Sequence, residues 1–281
     1  MEIFQLVESY EARFTAEGVD NAKRVTEELL AHVFNCKPLE IYLHTVPLLV
    51  DKFHLLELLA KRIENGEPLQ YVVGHVDFWG LEIKCDPRAL IPRPETELLV
   101  EEVLNSTIWK SKPATVIDVG TGTGCIALTL AKQRPDDYFT AVDISPNALD
   151  LAKGNARVHA LEDRVVWKEN NLLEGFSPES CNGVVANLPY IASADWAALS
   201  SSVRDHEPQS ALDSGPSGME LIIQLAEQAR DVLIPGGILF LEFGFDQGKS
   251  VFQCLDKLGY ADIEIKHDLA GLDRIAIATN P

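Results

Sequence analysis

The stretch Val116-Ile117-Asp118-Val119-Gly120-Thr121-Gly122-Thr123-Gly124 constrains the fold more than any other part of this chain. An apolar, β-branched run ends in alternating glycines, and a helical pattern over Gly124–Lys132 follows, with Pro135 beyond its end. Glycines there let the backbone turn sharply and approach a ligand, and they deliver the chain to a helix whose N-terminal amides are free. Strand and helix then keep alternating. Strands are predicted at Thr115–Gly120, Phe139–Asp143, Val165–Lys168, Gly183–Asn187 and Gly237–Phe243. Helices are predicted after Ser145-Pro146, which caps with proline at the first position, and near Met219–Leu233 and Gln247–Leu258. Such alternation predicts an α/β fold with a mostly parallel, doubly wound sheet, and Asp262–Lys266 with Arg274–Thr279 adds an antiparallel edge strand.

The N-terminal quarter has a different texture. Apolar residues recur at helical spacing in Val25–Phe34 and Phe53–Ile63, punctuated by Pro38, Pro47 and Asn65-Gly66-Glu67-Pro68. Residues 1–70 therefore read as a small helical domain for packing or partner docking, which suits a chain longer than one core usually sustains. Tyr71–Ile83 is rich in β-branched and aromatic residues and reads as a hairpin, so residues 71–93 form a hairpin and linker. Leu90-Ile91-Pro92-Arg93-Pro94-Glu95-Thr96-Glu97 is a proline-stiffened connection opening a helix through Asn105, and residues 94–281 form the larger domain.

Composition narrows the partners. Subtracting 24 basic from 43 acidic residues leaves −19, and neither residues 1–70 nor the remainder is basic, which argues against gripping nucleic acid. The longest apolar stretches, such as Val46–Val50 and Gly236–Leu241, are too short to cross a bilayer, so no membrane partner is expected. Cysteines 36, 85, 125, 181 and 254 contain no C-x-x-C, and the first residues have no basic n-region, which together point to the cytoplasm. His32, His44 and His54 lack ligand spacing, so no metal is expected.

Asp143 closes the second sheet strand, where an acidic side chain accepts hydrogen bonds from a ribose. A dinucleotide fingerprint would place Gly or Ala at position 125, but the residue is Cys125, and the loop reads G-x-G-x-G. That spacing resembles the S-adenosylmethionine loop of class I methyltransferases, with Asp118 as the preceding acidic residue. A second signal lies at Asn187-Leu188-Pro189-Tyr190, after the fourth strand and on the carboxyl edge where ligands gather. Methylating a planar amide or aromatic amine requires both N–H bonds to be fixed while the nitrogen faces the methyl carbon. The Asn187 side-chain carbonyl and the Leu188 backbone carbonyl would serve as acceptors, with Tyr190 as an apolar face; much of the catalysis is then positioning.

Asn187-Leu188-Pro189-Tyr190 resembles the Asn-Pro-Pro-Tyr motif of amino-group methyltransferases. Further runs carry a more specific likeness: Tyr71-x-x-Gly74, Phe78-x-Gly80-Leu81 and Ile91–Glu97, then Glu207-Pro208-x-x-Ala211-Leu212, Glu242-Phe243-Gly244-x-x-Gln247-Gly248 and Asp268-Leu269-Ala270-Gly271-x-Asp273-Arg274. Together these resemble the release-factor glutamine methyltransferases over essentially the whole chain. The resemblance implies a class I, Rossmann-like methyltransferase domain with a seven-stranded sheet, joined to an N-terminal substrate-docking domain. It implies that S-adenosylmethionine is consumed, with S-adenosylhomocysteine as product. The methyl acceptor it implies is the Gly-Gly-Gln glutamine of peptide chain release factors. By the same likeness Gly120, Thr121, Gly122, Thr123, Gly124 and Asp143 bind the cofactor. Leu172 falls where the family sets a residue against the adenine, Asn187 touches both cofactor and glutamine, and Asn187–Tyr190 form the glutamine pocket. The chain departs from the family at Leu188, which replaces a proline yet keeps its carbonyl, and at Asn171-Leu172, which replaces an acidic–aromatic pair. Rival readings are an adenine or guanine methyltransferase, which would want a basic face, and a non-catalytic module that has kept the fold. An NAD-dependent oxidoreductase is the most distant, because of Cys125.

Overall fold

A computed structural model describes residues 3–43, 50–110 and 113–281; His44 and Pro47 lie outside them. Amphipathic helices open the chain: α1 (Ile3–Ala16), α2 (Ala22–Phe34), α3 (Val50–Glu64) and the short α4 (Leu69–Val73). They bury Tyr10, Phe14, Leu29, Leu30, Leu56 and Ile63 against one another, as their periodicity requires. Tyr71-Val72-Val73 is helical here, whereas β-propensity had made it the start of a strand. Pro68 begins the turn, Tyr71 and Val72 are buried, and Gly74 at φ 85° ends it, so tertiary burial outweighs the weak local preference. The hairpin is accordingly shorter, β1 (His75–Phe78) and β2 (Leu81–Lys84), turning through Trp79 and Gly80 at φ 53° and 71°.

Pro94 is the first residue of α5 (Pro94–Asn105), following an extended Arg93. The sheet then begins: β3 (Thr115–Val119), α6 (Cys125–Gln133), β4 (Tyr138–Asp143), α7 (Pro146–Val158), β5 (Val165–Glu169) and β6 (Cys181–Asn187). It finishes with α8 (Ser201–Arg204), α9 (Glu220–Val232), β7 (Leu233–Glu242), α10 (Gly248–Lys257), β8 (Ala261–His267) and β9 (Asp273–Thr279). As expected, Ser145 caps α7, accepting the Ala148 amide at 3.2 Å. The strand order is β5-β4-β3-β6-β7-β9-β8. All neighbours are parallel except at β9, the antiparallel strand, which runs between β7 and the edge strand β8. One face of the sheet is covered by a cluster including Leu99, Val103, Ile126 and Leu130, the other by Leu225, Ala229, Val251 and Leu255.

The chain divides into two compact units. One runs up to His75 and takes in Ser200–His206; the other comprises Val76–Leu199 and Glu207–Pro281. Among the described residues no helix is long and apolar enough to cross a membrane, and no cluster of three or more His, Cys, Asp or Glu could hold a metal ion.

Candidate active site

The strand order reverses between β3 and β6, and loops leaving the two strands diverge there to open a crevice at the carboxyl edge. A cavity of about 350 Å³ occupies that place, ample for a small molecule. Four strand ends wall it: Gly120–Thr123 after β3, Asp143–Ser145 after β4, Asn170–Leu172 after β5 and Asn187–Pro189 after β6. The segment Arg88–Arg93 and Thr96 wall it further, as do Pro208, Ser210, Ala211 and Asp213.

The glycine loop is tied down from several sides. Its Gly120 and Thr121 amides both donate to the Val142 carbonyl, at 2.8 and 2.9 Å. The Thr121 hydroxyl donates to Asp118 Oδ2 at 2.6 Å, and the Ala127 amide reaches the same oxygen at 3.2 Å. Asn155 donates to the Thr123 carbonyl at 2.9 Å while its own carbonyl accepts the Lys84 amide at 2.9 Å. No motif in the sequence points to Asn155. Its signal was a lone amide on the otherwise apolar buried face of α7, with Ala148, Leu151, Ala152 and Ala156.

Two glycines allow close approach. At Gly120, φ is +73° and a Cβ would lie 2.8 Å from Leu188 Cδ2; at Gly124, φ is +82° and a Cβ would lie 3.1 Å from Ala152 Cβ. Gly124 does not wall the cavity and serves instead to bring α6 against α7. The close approach at Gly120 gives Leu188 a part beyond its backbone carbonyl. Its side chain is 5% exposed and packs on the glycine loop, because the β3–β6 register sets Val119 beside Ala186 and so carries Gly120 next to Asn187 and Leu188.

Asp143 reaches the cavity with both oxygens engaged by backbone. Oδ2 accepts the Gly122 amide and Oδ1 the Ser145 amide, each at 2.9 Å. Each carboxylate oxygen has two acceptor sites, so capacity is left for a ligand. Leu172 walls the cavity at φ 48°, an uncommon conformation for leucine. Asn170 holds that turn by donating to the Leu172 and Glu174 carbonyls, both at 3.0 Å. Tyr190 does not wall the cavity; it packs against the second core face, and its carbonyl accepts from Gln247 Nε2 at 2.8 Å.

Behind Asn187 lies a buried polar chain. The parallel register pairs Asn187 with Glu242. The Asn187 amide nitrogen donates to Thr96 Oγ1 at 3.0 Å, and the Thr96 hydroxyl donates to Glu242 Oε2 at 2.8 Å. Burial pushes the Glu242 carboxyl up to about 7, while the Thr96 hydrogen bond, the Arg274 charge and Asn187 pull it down and Glu95 adds to the rise. Between the ordinary value of 4.5 and about 7 the native state then binds more protons than the unfolded chain, so stability falls as pH rises through that window and is level above it. A shift of this size corresponds to on the order of 3 kcal/mol. Denaturant unfolding between about pH 5 and about pH 8 is expected to show this slope reduced in Glu242→Gln; an unchanged slope would assign it elsewhere. Asp118, pushed by burial up to about 7, and Asp143, also raised by burial, contribute to the slope that remains.

The Arg88–Arg93 wall is pinned through Glu207, buried at 5% exposure. Its carboxylate pairs with the Arg93 guanidinium and accepts the Ile91 amide at 3.1 Å. Both partners stand in runs that the family likeness picks out, but no sequence spacing joins residues 114 positions apart.

The cavity suits S-adenosylmethionine: an aliphatic wall at Ile144 and Leu172, the Asp143 carboxylate with acceptor capacity to spare, and the Gly120–Thr123 loop along one side.

Sheet, loop and cavity define a Rossmann-like methyltransferase. Residues 94–203 match the family described as Methyltransferase small domain, and residues 5–74 match the PrmC N-terminal domain. The crystal structure of a methyltransferase from Pyrococcus furiosus shares the fold, with a TM-score of 0.53 at 19% identity, covering 72% of this chain and 90% of that one. The release factor glutamine methyltransferase of Chlorobaculum tepidum is 34% identical over 281 residues, covering 97% of this chain and 95% of that protein. That of Nitratidesulfovibrio vulgaris is 39% identical over 272 residues, covering 95% and 91%. The chain belongs to the release factor glutamine methyltransferase family.

Proposed function

We propose that this enzyme transfers a methyl group to the side-chain amide nitrogen of the glutamine in the Gly-Gly-Gln loop of peptide chain release factors, in the cytoplasm. The observation that carries the reading is that Asn187, Leu188 and the glycine loop wall one cavity. S-adenosylmethionine, when bound, supplies an activated methyl on a sulfonium. Gly120–Thr123, Asp143, Leu172 and Asn187 would hold it, with Gly124 placing the helix behind the loop. The Asn187 side-chain carbonyl and the Leu188 backbone carbonyl accept the two hydrogens of the glutamine amide, which turns its nitrogen toward the methyl. Pro189 biases Leu188 toward the extended conformation that presents its carbonyl, and Tyr190 closes the motif from the core side. The transfer would break the sulfonium–methyl bond and leave S-adenosylhomocysteine, and the alkylated nitrogen, by then acidic, would release one of its protons to water.

In this reading residues 94–281 carry the chemistry, residues 71–93 join the domains, and residues 1–70 dock the release factor. Phe4, Leu39 and Leu58, each more than half exposed, are apolar side chains of the helical unit open to a partner. Asp143→Ala is expected to weaken S-adenosylmethionine binding by about 1–3 kcal/mol, since ribose acceptors and the Gly122 anchor go together. Titration calorimetry giving the wild-type affinity would place the ribose elsewhere.

The function itself is tested by offering labelled S-adenosylmethionine with three acceptors: a purified release factor, the same factor with its loop glutamine replaced by alanine, and double-stranded DNA. Label is expected in the first alone. Label in DNA would make the enzyme a base methyltransferase, and label in the alanine-substituted factor would move the acceptor to another residue.

A further inference from the structure

We propose that Thr96 and Glu242 are positioning residues that set which way round the Asn187 amide faces, so that its carbonyl and not its NH₂ meets the glutamine. The inference rests on the functional reading above and adds the source of the pocket's polarity. An asparagine side chain is nearly symmetric in shape, and its two ends differ only in hydrogen-bonding sense. A pocket that must accept a substrate N–H fails if the amide turns over and presents donors instead. Something must therefore distinguish the two orientations.

The chain of bonds does so by elimination. Glu242 is 1% exposed, and above about pH 7 its carboxylate is ionised and can only accept. Thr96 has one hydroxyl hydrogen, which is spent on Glu242 Oε2 at 2.8 Å. What Thr96 offers to Asn187 is then a lone pair, and the Asn187 amide nitrogen donates to it at 3.0 Å. With NH₂ committed on that side, the carbonyl of Asn187 is left as the acceptor. Turning the amide over would set its carbonyl against a lone pair and leave buried groups unpaired, a costly arrangement where water is excluded. Thr96 lies in the first turn of α5, and α5 packs on β7, where Glu242 is the last residue. Glu242 and Asn187 are register partners on adjacent parallel strands. The three side chains thus come from three rigid elements, which is what an orienting shell requires.

The test is single-turnover methylation of a purified release factor at about pH 8, where Glu242 is ionised, with cofactor affinity measured beside it. Thr96→Val keeps the shape and removes the hydroxyl. With cofactor saturating, it is expected to lower the transfer rate about tenfold or more. Thr96→Ser restores the hydroxyl and is expected to recover the rate to within about threefold. A purely structural role for Thr96 would not depend on Asn187, so the decisive comparison is on an Asn187→Ala background. There, Thr96→Val is expected to change the rate by less than about twofold, because the group it orients is gone. A folded Thr96→Val protein with the wild-type rate overturns the inference, as does an undiminished loss on the Asn187→Ala background. Should Thr96→Val not fold, Glu242→Gln carries the test. Its amide can donate to Thr96 and no longer dictates the hydroxyl's direction, so a wild-type rate there overturns the inference equally. A wild-type enzyme that leaves the release factor unlabelled would instead overturn the functional reading, which keeps the two failures apart.

Discussion

Asn187→Ala is expected to yield a folded protein whose methyl transfer falls about ten- to hundredfold. One neutral hydrogen bond that holds the reacting amide is worth roughly 1–3 kcal/mol, and each 1.4 kcal/mol is about tenfold in rate. The loss should appear in the transfer step, because the bond matters most when the nitrogen is aimed. Stability should change little. Asn187 is only partly buried, and the Thr96 hydroxyl it leaves behind keeps its own acceptor in Glu242. Single-turnover kinetics and a thermal melt on the same preparation check both statements, and undiminished transfer in the folded variant would remove Asn187 from the site.

The second large effect is on stability. Arg93→Ala takes away the cation facing Glu207 and strands a buried carboxylate whose other oxygen is bound to the Ile91 amide. Removing one partner of a buried pair usually costs about 3–5 kcal/mol, and because the Arg93 side chain is 32% exposed the lower end is expected here. For a unit of this size that is roughly a 5–10 °C fall in melting temperature. Since Ile91 and Arg93 wall the cavity, cofactor affinity should fall with it. The double variant Arg93→Ala/Glu207→Gln should recover part of the stability, as the stranded charge is gone. A melting temperature equal to wild type in Arg93→Ala would mean that the pair behaves as a solvent-screened surface contact.

The positioning chain and the pinned wall share a cause. In both, a buried carboxylate organises a cavity-lining residue from behind: Glu242 through Thr96 to Asn187, and Glu207 directly to Arg93 and Ile91. A pocket that works chiefly by aiming a weakly nucleophilic nitrogen needs such support, because small displacements cost rate.

Much was legible in the sequence because it is local. The glycine loop, the Ser145-Pro146 cap, the Pro94 helix start and the alternation of strands and helices all follow from backbone sterics and periodicity over short windows, and the structure has each of them. Asn187, Leu188 and Asp143 could be placed at strand ends for the same reason, and those ends do meet at one cavity. Three things were decided only in three dimensions. Tyr71-Val72-Val73 became helix because burial against the N-terminal helices outweighs β-propensity. The Leu188 side chain acquired a packing role because sheet register, which no window of sequence contains, sets it on Gly120. Thr96, Glu242, Asn155 and Glu207 gained their parts because hydrogen bonds between residues 71 to 146 positions apart exist only once the sheet has closed and water has been excluded from between its layers.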